Sequence, residues 1–169
     1  IGRIGAALPG ARRGTHAEDN FPLSTSATGT GITGIAVSGK GFSAEIAYEG
    51  ATLLSWRPRP ADGGEGENLV DGYLTPAELQ SQNGVRNGIL APFTNRIPDG
   101  QYGFGSETHH LEPVLSHEAL VFHGFARALP FALVQSFEES GAHILVFRAE
   151  ISPTDFRGYP YRLAIEVEY

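Results

Sequence analysis

The sequence predicts an all-β chain of antiparallel strands with one short helix. Three observations predict it. Two runs, at 42–49 and 161–169, alternate apolar and polar residues. The 169 residues are punctuated by 22 Gly and 11 Pro. One stretch only has clear helix-start chemistry. Alternation at period two gives a strand one buried and one wet face, and frequent Gly and Pro supply the turns that short strands need.

The elements follow in chain order. Residues 1–30 are rich in Gly, Ala, Ser, Thr and Arg without a sustained period, and read as an irregular N-terminal arm that Phe21 and Leu23 could anchor. Residues 31–169 read as one β-rich region. Ile32, Ile35 and Val37 open it, and Gly39-Lys40-Gly41 turns the chain. Phe42, Ala44, Ile46 and Tyr48 then alternate with Ser43, Glu45, Ala47 and Glu49, which are expected on the wet face. Gly50 breaks this run, and 51–56 reads as the next strand of a hairpin or meander. A loop spans 58–66. In Thr75-Pro76-Ala77-Glu78 the Thr can cap free amides, Pro suits the first helical position, and Glu stands where a capping box places it. The helix is expected to end near 82–84. Further strands are expected at 108–115, 119–122, 131–138, 143–151 and 161–169. The last pattern runs to Tyr169 without a turn, so the native chain is expected to continue.

Composition narrows the function. A hydrophobic fraction of 41% against 18% charged residues fits a globular domain. A net charge of -7 with 12 scattered Lys and Arg argues against a nucleic-acid partner. No apolar run approaches the roughly 20 residues of a membrane helix. The absence of Cys excludes disulfides and thiolate chemistry. The absence of Met, with no intact signal-peptide layout at the start, points to a trimmed or processed chain. His109 and His110 are adjacent and would face opposite ways on a strand, and His117 and His123 complete no ligand spacing, so no metal is expected. No Gly-rich phosphate loop or Gly-x-Ser-x-Gly elbow appears.

Three stretches can carry chemistry. In Asn87-Gly88-Ile89-Leu90-Ala91-Pro92-Phe93-Thr94-Asn95-Arg96-Ile97, the Arg96 guanidinium offers a rigid fan of donors for hydroxyls or a carboxylate. Its ordinary alternative is an ion pair with Asp99. In Pro98-Asp99-Gly100-Gln101-Tyr102-Gly103-Phe104-Gly105, strong turn chemistry precedes two alternating aromatics, best read as a hairpin with core aromatics. In Phe122-His123-Gly124-Phe125-Ala126-Arg127, Gly124 beside His123 would leave room for a ligand at an imidazole suited to proton transfer. The alternative is a histidine satisfied by backbone at a strand end.

Taken in order, Gly50-Ala51-Thr52-Leu53-Leu54-Ser55-Trp56, Asn95-Arg96-Ile97-Pro98-Asp99-Gly100-Gln101-Tyr102, His123-Gly124 and Tyr159-Pro160-Tyr161 resemble the aldose 1-epimerase, or mutarotase, family over 32–169. The resemblance implies an antiparallel β-sandwich, part of a galactose mutarotase-like supersandwich, with a sugar in an open cleft. It implies that Arg96 hydrogen-bonds sugar hydroxyls and that Asn95 shapes the loop or touches the sugar. His123 would bind near the anomeric end and assist proton transfer. It also implies an isomerase that interconverts the α and β anomers of an aldohexose without metal or cofactor, and a cytoplasmic setting in sugar catabolism. The family's principal acid, a second His, and its base, a Glu, are expected beyond Tyr169, so the 169 residues alone are expected to be inactive. His143 has no matching context, and Glu166 and Glu168 read as a solvated strand face.

Two other activities fit the same residues. A hexose-6-phosphate 1-epimerase would need clustered cations for the phosphate, with Arg86, Arg96 and Arg127 as candidates. A noncatalytic carbohydrate-binding module, or a purely structural sandwich, needs neither acid nor base. Neither the preferred sugar nor an oligomeric state follows from the sequence.

Overall fold

The computed structural model describes residues 3–5, 28–39, 41–61, 63–64, 66–139 and 142–169. The chain divides into two compact units, residues 7–88 and residues 1–6 with 89–169. The strands described are antiparallel and one α-helix accompanies them, as the alternation and the single helix start predict. Most of the arm expected at 1–30, Phe21 and Leu23 included, lies outside the described residues. Within it Arg3–Gly5 forms a short strand, β1, and Thr28 is buried in a turn, its Oγ1 donating to the Ile32 carbonyl at 2.9 Å.

In residues 7–88, β2 (Gly34–Ser38), β3 (Phe42–Ala47) and β4 (Leu53–Pro58) form a three-stranded meander. Ile35 pairs with Ile46 and Val37 with Ala44, so all four share one face, and all four are buried. The expectation for Ala47 fails. It lies on the face assigned to solvent, yet it is 0% exposed, clustered with Ile32, Leu54, Tyr73 and Leu79. The register shifts between Glu45 and Ile46, which makes Leu54 the extra residue of a bulge and turns it into this second cluster. Leu79 arrives from the helix. The sheet is therefore buried on both faces at this end, a non-local outcome that strand alternation cannot reveal.

Helix α1 (Pro76–Ser81) begins as its sequence requires. Thr75 Oγ1 accepts from the Glu78 amide at 3.1 Å, and Pro76 takes the first turn. Glu78 Oε2 reaches back one residue further than in a capping box and accepts from the Leu74 amide at 2.9 Å. Gln82 closes the helix in the left-handed region, its amide donating to the Glu78 and Leu79 carbonyls.

In residues 1–6 with 89–169, a four-stranded sheet runs in the order β1, β11 (Leu163–Glu168), β10 (Ala142–Ile151), β9 (Ala132–Glu139). β10 is the centre of the apolar packing, with Leu145, Val146, Phe147, Ala149 and Ile151 buried. In β11, Ile165 and Val167 are buried, Glu166 pairs across the sheet with Arg148 at 2.6 Å, and Glu168 is exposed. The outer edge of β11 pairs with β1 rather than standing open. Two small ribbons complete this unit: β5 (Arg96–Ile97) with β8 (Val121–Phe122), and β6 (Gln101–Phe104) with β7 (Glu107–His110). The strands expected at 108–115 and 119–122 are thus shorter than their apolar patterns, although the Leu111 amide still donates to the Gly100 carbonyl at 2.8 Å. No helix among the described residues is long and apolar enough to cross a membrane.

Replacing Thr75 by Ala removes the accepting oxygen for the Glu78 amide. A loss of about 1 kcal/mol in urea unfolding is expected, with an unchanged m-value.

Candidate sugar-contact site

Asn95, Arg96 and His123 come together where the β5–β8 ribbon ends. The two strands are only two residues long, pairing Arg96 with Phe122 and Ile97 with Val121. Asn95 and His123 extend the pairing by a clasp. The His123 amide donates to the Asn95 carbonyl at 3.0 Å, and the Asn95 amide donates to His123 Nδ1 at 3.0 Å. Asn95 Oδ1 also accepts from the Arg96 amide at 2.8 Å. Both clasp residues are left-handed, with φ of 64° at Asn95 and 61° at His123. Asn tolerates that region through local hydrogen bonds; His is held there by its surroundings.

The clasp fixes the chemistry of the ring. With the Nδ1 lone pair accepting from a backbone amide, a neutral imidazole carries its proton on Nε2. His123 is half-buried and presents Nε2–H as a donor. Asn95 and Arg96 are exposed beside it. Among the described residues no carboxylate lies within ion-pair distance of Arg96, so the expected alternative of a pair with Asp99 does not form. Asp99 instead turns the chain with a φ of 54°.

Gly124 has a different purpose from the one its sequence position suggests. The expectation of ligand room beside the imidazole is not met at this residue. A Cβ on Gly124 would overlap the Ala91 carbonyl, and its φ is 68°. The space is taken by the Ala91–Pro92 backbone. The Ala91 carbonyl accepts from the Phe125 amide at 2.7 Å and from the Ala126 amide at 3.0 Å. The missing side chain therefore permits two loops to touch.

Two of the three cations considered for phosphate are engaged by carboxylates. Arg127 is 1% exposed and pairs with Glu118 Oε2 at 2.8 Å. Its guanidinium lies over the Phe122 ring, 5.0 Å from the centroid. Arg86 belongs to the other unit, where it faces Asp71 at 3.5 Å and Glu78 at 3.8 Å and covers Tyr73. Arg127 was legible as a cation near His123, but its burial depends on Glu118 from the preceding loop, which no local pattern signals.

An aromatic cleft of about 380 Å³ adjoins this segment, lined by Pro92, Phe93, Ile97, Tyr102, Phe104, Leu111, Tyr159 and Tyr161. Ile97 reaches it from the face of β5 opposite Arg96. Tyr102 and Phe104 do sit on a hairpin, but not as core aromatics, since Phe104 is 63% exposed. Tyr102 donates to the Gly158 carbonyl at 2.9 Å, and its ring stacks on His109. His109 Nε2 lies 3.1 Å from the Tyr161 hydroxyl and 3.5 Å from Glu107. His110 is exposed and His143 pairs with Ser136 at 2.9 Å, so neither joins His123.

Gly124→Ala is expected to cost at least about 3 kcal/mol in denaturant unfolding, from overlap plus strain at positive φ. Asn95→Gly keeps the left-handed backbone and is expected to cost no more than about 1 kcal/mol. Burial pushes the phenols of Tyr102 and Tyr159 up, reinforced by nearby tyrosines, and burial pushes Tyr169 to about 12. The unfolded chain loses these protons first, so the stability they contribute is full below pH about 10 and declines as pH rises above it. Absorbance at 295 nm, followed with unfolding free energy between pH 9 and 12, should show late phenol ionisation and falling stability together.

The aldose 1-epimerase family matches residues 35–169. No curated protein sequence matches. Among solved structures, an aldose epimerase homologue from C. elegans shares 20% identity over 79% of this chain and 40% of its own, with a TM-score of 0.60. A galactose 1-epimerase from Lactobacillus acidophilus shares 17% over 100% of this chain and 44% of its own, at 0.59. A galactose mutarotase-like protein from Clostridium acetobutylicum shares 16% over 88% and 46%, at 0.61. The chain thus spans less than half the length of each, and at these identities the likeness is one of fold. The antiparallel strands and the family match over most of the chain lead to one assignment: this chain belongs to the aldose 1-epimerase family.

Proposed function

We propose that this chain supplies the sugar-holding part of a mutarotase site, in an enzyme that interconverts the α and β anomers of an aldohexose. The observation that carries the reading is the Asn95–His123 clasp, which sets a Nε2–H donor beside the exposed Arg96 fork. Arg96 would hydrogen-bond sugar hydroxyls, and Asn95 would shape the loop or add a contact. His123 would bind near the anomeric end and assist proton transfer.

The reaction opens the sugar ring. A base removes the anomeric hydroxyl proton, an acid protonates the ring oxygen, the C–O bond breaks, and rotation of the free aldehyde precedes reclosure. Acid and base need environments that hold them in opposite protonation states. By resemblance to the family, the principal acid and base are a His and a Glu outside these 169 residues, and a monosaccharide is the partner with a cytoplasmic setting. An unphosphorylated sugar is favoured because Arg127 and Arg86 are engaged by carboxylates, leaving Arg96 as the one exposed cation of the three.

Polarimetry on freshly dissolved α-galactose or α-glucose tests the reading. A protein of the relatives' full length should speed the approach to anomeric equilibrium, and the 169 residues alone should not. In that protein Arg96→Ala should weaken sugar binding about tenfold or more, as expected for lost charged hydrogen bonds. His123→Ala should lower turnover about a hundredfold. Normal kinetics in both variants would overturn the assigned roles, and strong acceleration by the 169 residues alone would overturn the placement of acid and base elsewhere.

A further inference from the structure

We propose that the buried Glu118–Arg127 pair is a positioning device for His123, acting through the ring of Phe122. The inference rests on the reading of His123 as a sugar contact. Arg127 stands in the short 3-10 turn Ala126–Ala128, three residues past Gly124. Its side chain is almost fully buried and reaches Glu118 at 2.8 Å, and the Glu118 side chain is 8% exposed. Glu118 Oε2 also accepts from the Leu115 amide at 3.3 Å, so the carboxylate is anchored at its own end.

The guanidinium lies 5.0 Å from the centroid of Phe122. The same ring meets the His123 imidazole edge-on, at 5.0 Å and 69°. Phe122 thus has a cation on one side and the imidazole on another. It is also the register partner of Arg96 and shares its face of the ribbon. A ring held in place there limits how His123 can rotate and supports the strand that carries Arg96.

The pair is poorly explained by stability. Burying two charges is costly, and well-packed apolar residues often replace such pairs without loss. A geometric task fits better. The two-residue β5–β8 ribbon has little ladder to hold its end, and His123 must keep a left-handed backbone and a Nδ1 acceptor bond at once. A fixed guanidinium, planar and well suited to aromatic faces, restrains the ring next to it.

The experiment uses a protein of the relatives' full length and its double variant E118Q/R127M. Removing both charges avoids a buried unpaired carboxylate, and melting checks that the fold survives. Side-chain nitrogen NMR of His123 is the first readout, because it needs no sugar. Wild-type protein should show a single Nε2–H tautomer, and the double variant should show a mixture of tautomers. Arg127→Lys, which keeps the charge over the ring, should restore most of the single tautomer. The second readout is mutarotation, which should fall about tenfold to a hundredfold in the double variant and recover in Arg127→Lys. A folded double variant with an unchanged His123 tautomer would overturn the inference. If the double variant does not fold, Phe122→Leu carries the same tautomer test. Absence of mutarotation in wild type would instead sink the proposed function, while the tautomer result would still decide the positioning role.

Discussion

The Ala91 carbonyl ties together the two loops on which the candidate site depends. It accepts from both Phe125 and Ala126, and it can come so close only because Gly124 has no side chain. This contact brings the 91–97 segment against 121–128 and fixes where β5 and β8 begin to pair. The pairing is two residues long, too short to hold itself. The Asn95–His123 clasp then extends it at one end, and Arg96 is presented from the same short strand. Loss of the carbonyl contact would release the clasp, the ribbon and the guanidinium together.

Left-handed backbone is concentrated around this junction. Asn95, Asp99, Gly100, His123 and Gly124 all have positive φ. Gly adopts that region freely, and Asn, Asp and His enter it more readily than other side chains though still at a cost. Strain of this kind persists only where the surroundings over-determine it, and it collects at functional positions. Here the surroundings can be named: the Asn95 backbone on Nδ1 and Phe122 on the ring. The ring that the strain aims is the one whose Nε2–H is left as a donor.

Burial sorts the charged residues into two groups. Arg127 and Glu118 are inside and pair with each other. Arg148 and Glu166 pair across β10 and β11 on the sheet surface, where such pairs contribute little. Arg96 is exposed, with no carboxylate near it among the described residues. A guanidinium left in that state beside an ordered imidazole is the arrangement that neutral hydroxyls can use without displacing an ion pair. The aromatic cleft lies beyond Ile97, on the other face of β5.

The sequence by itself determined the strand character, the helix cap and the membership of the chain in its family. Alternation in 161–169, Thr75 before Pro76, and the order of Asn95-Arg96-Ile97 and His123-Gly124 are local facts, and local facts survive folding. It also marked Asn95, Arg96 and His123, though not what joins them. Tertiary structure alone decided the rest. Ala47 is buried because a bulge and Leu79 cover its face, against its place in the alternation. Gly124 is small for the sake of Ala91, 33 positions away in the numbering, rather than for a ligand. Arg127, legible only as a cation, is withdrawn by Glu118, and which nitrogen of His123 carries the proton is set by an amide 28 residues earlier. Each of these depends on residues distant in sequence meeting in space, which propensity and periodicity do not encode.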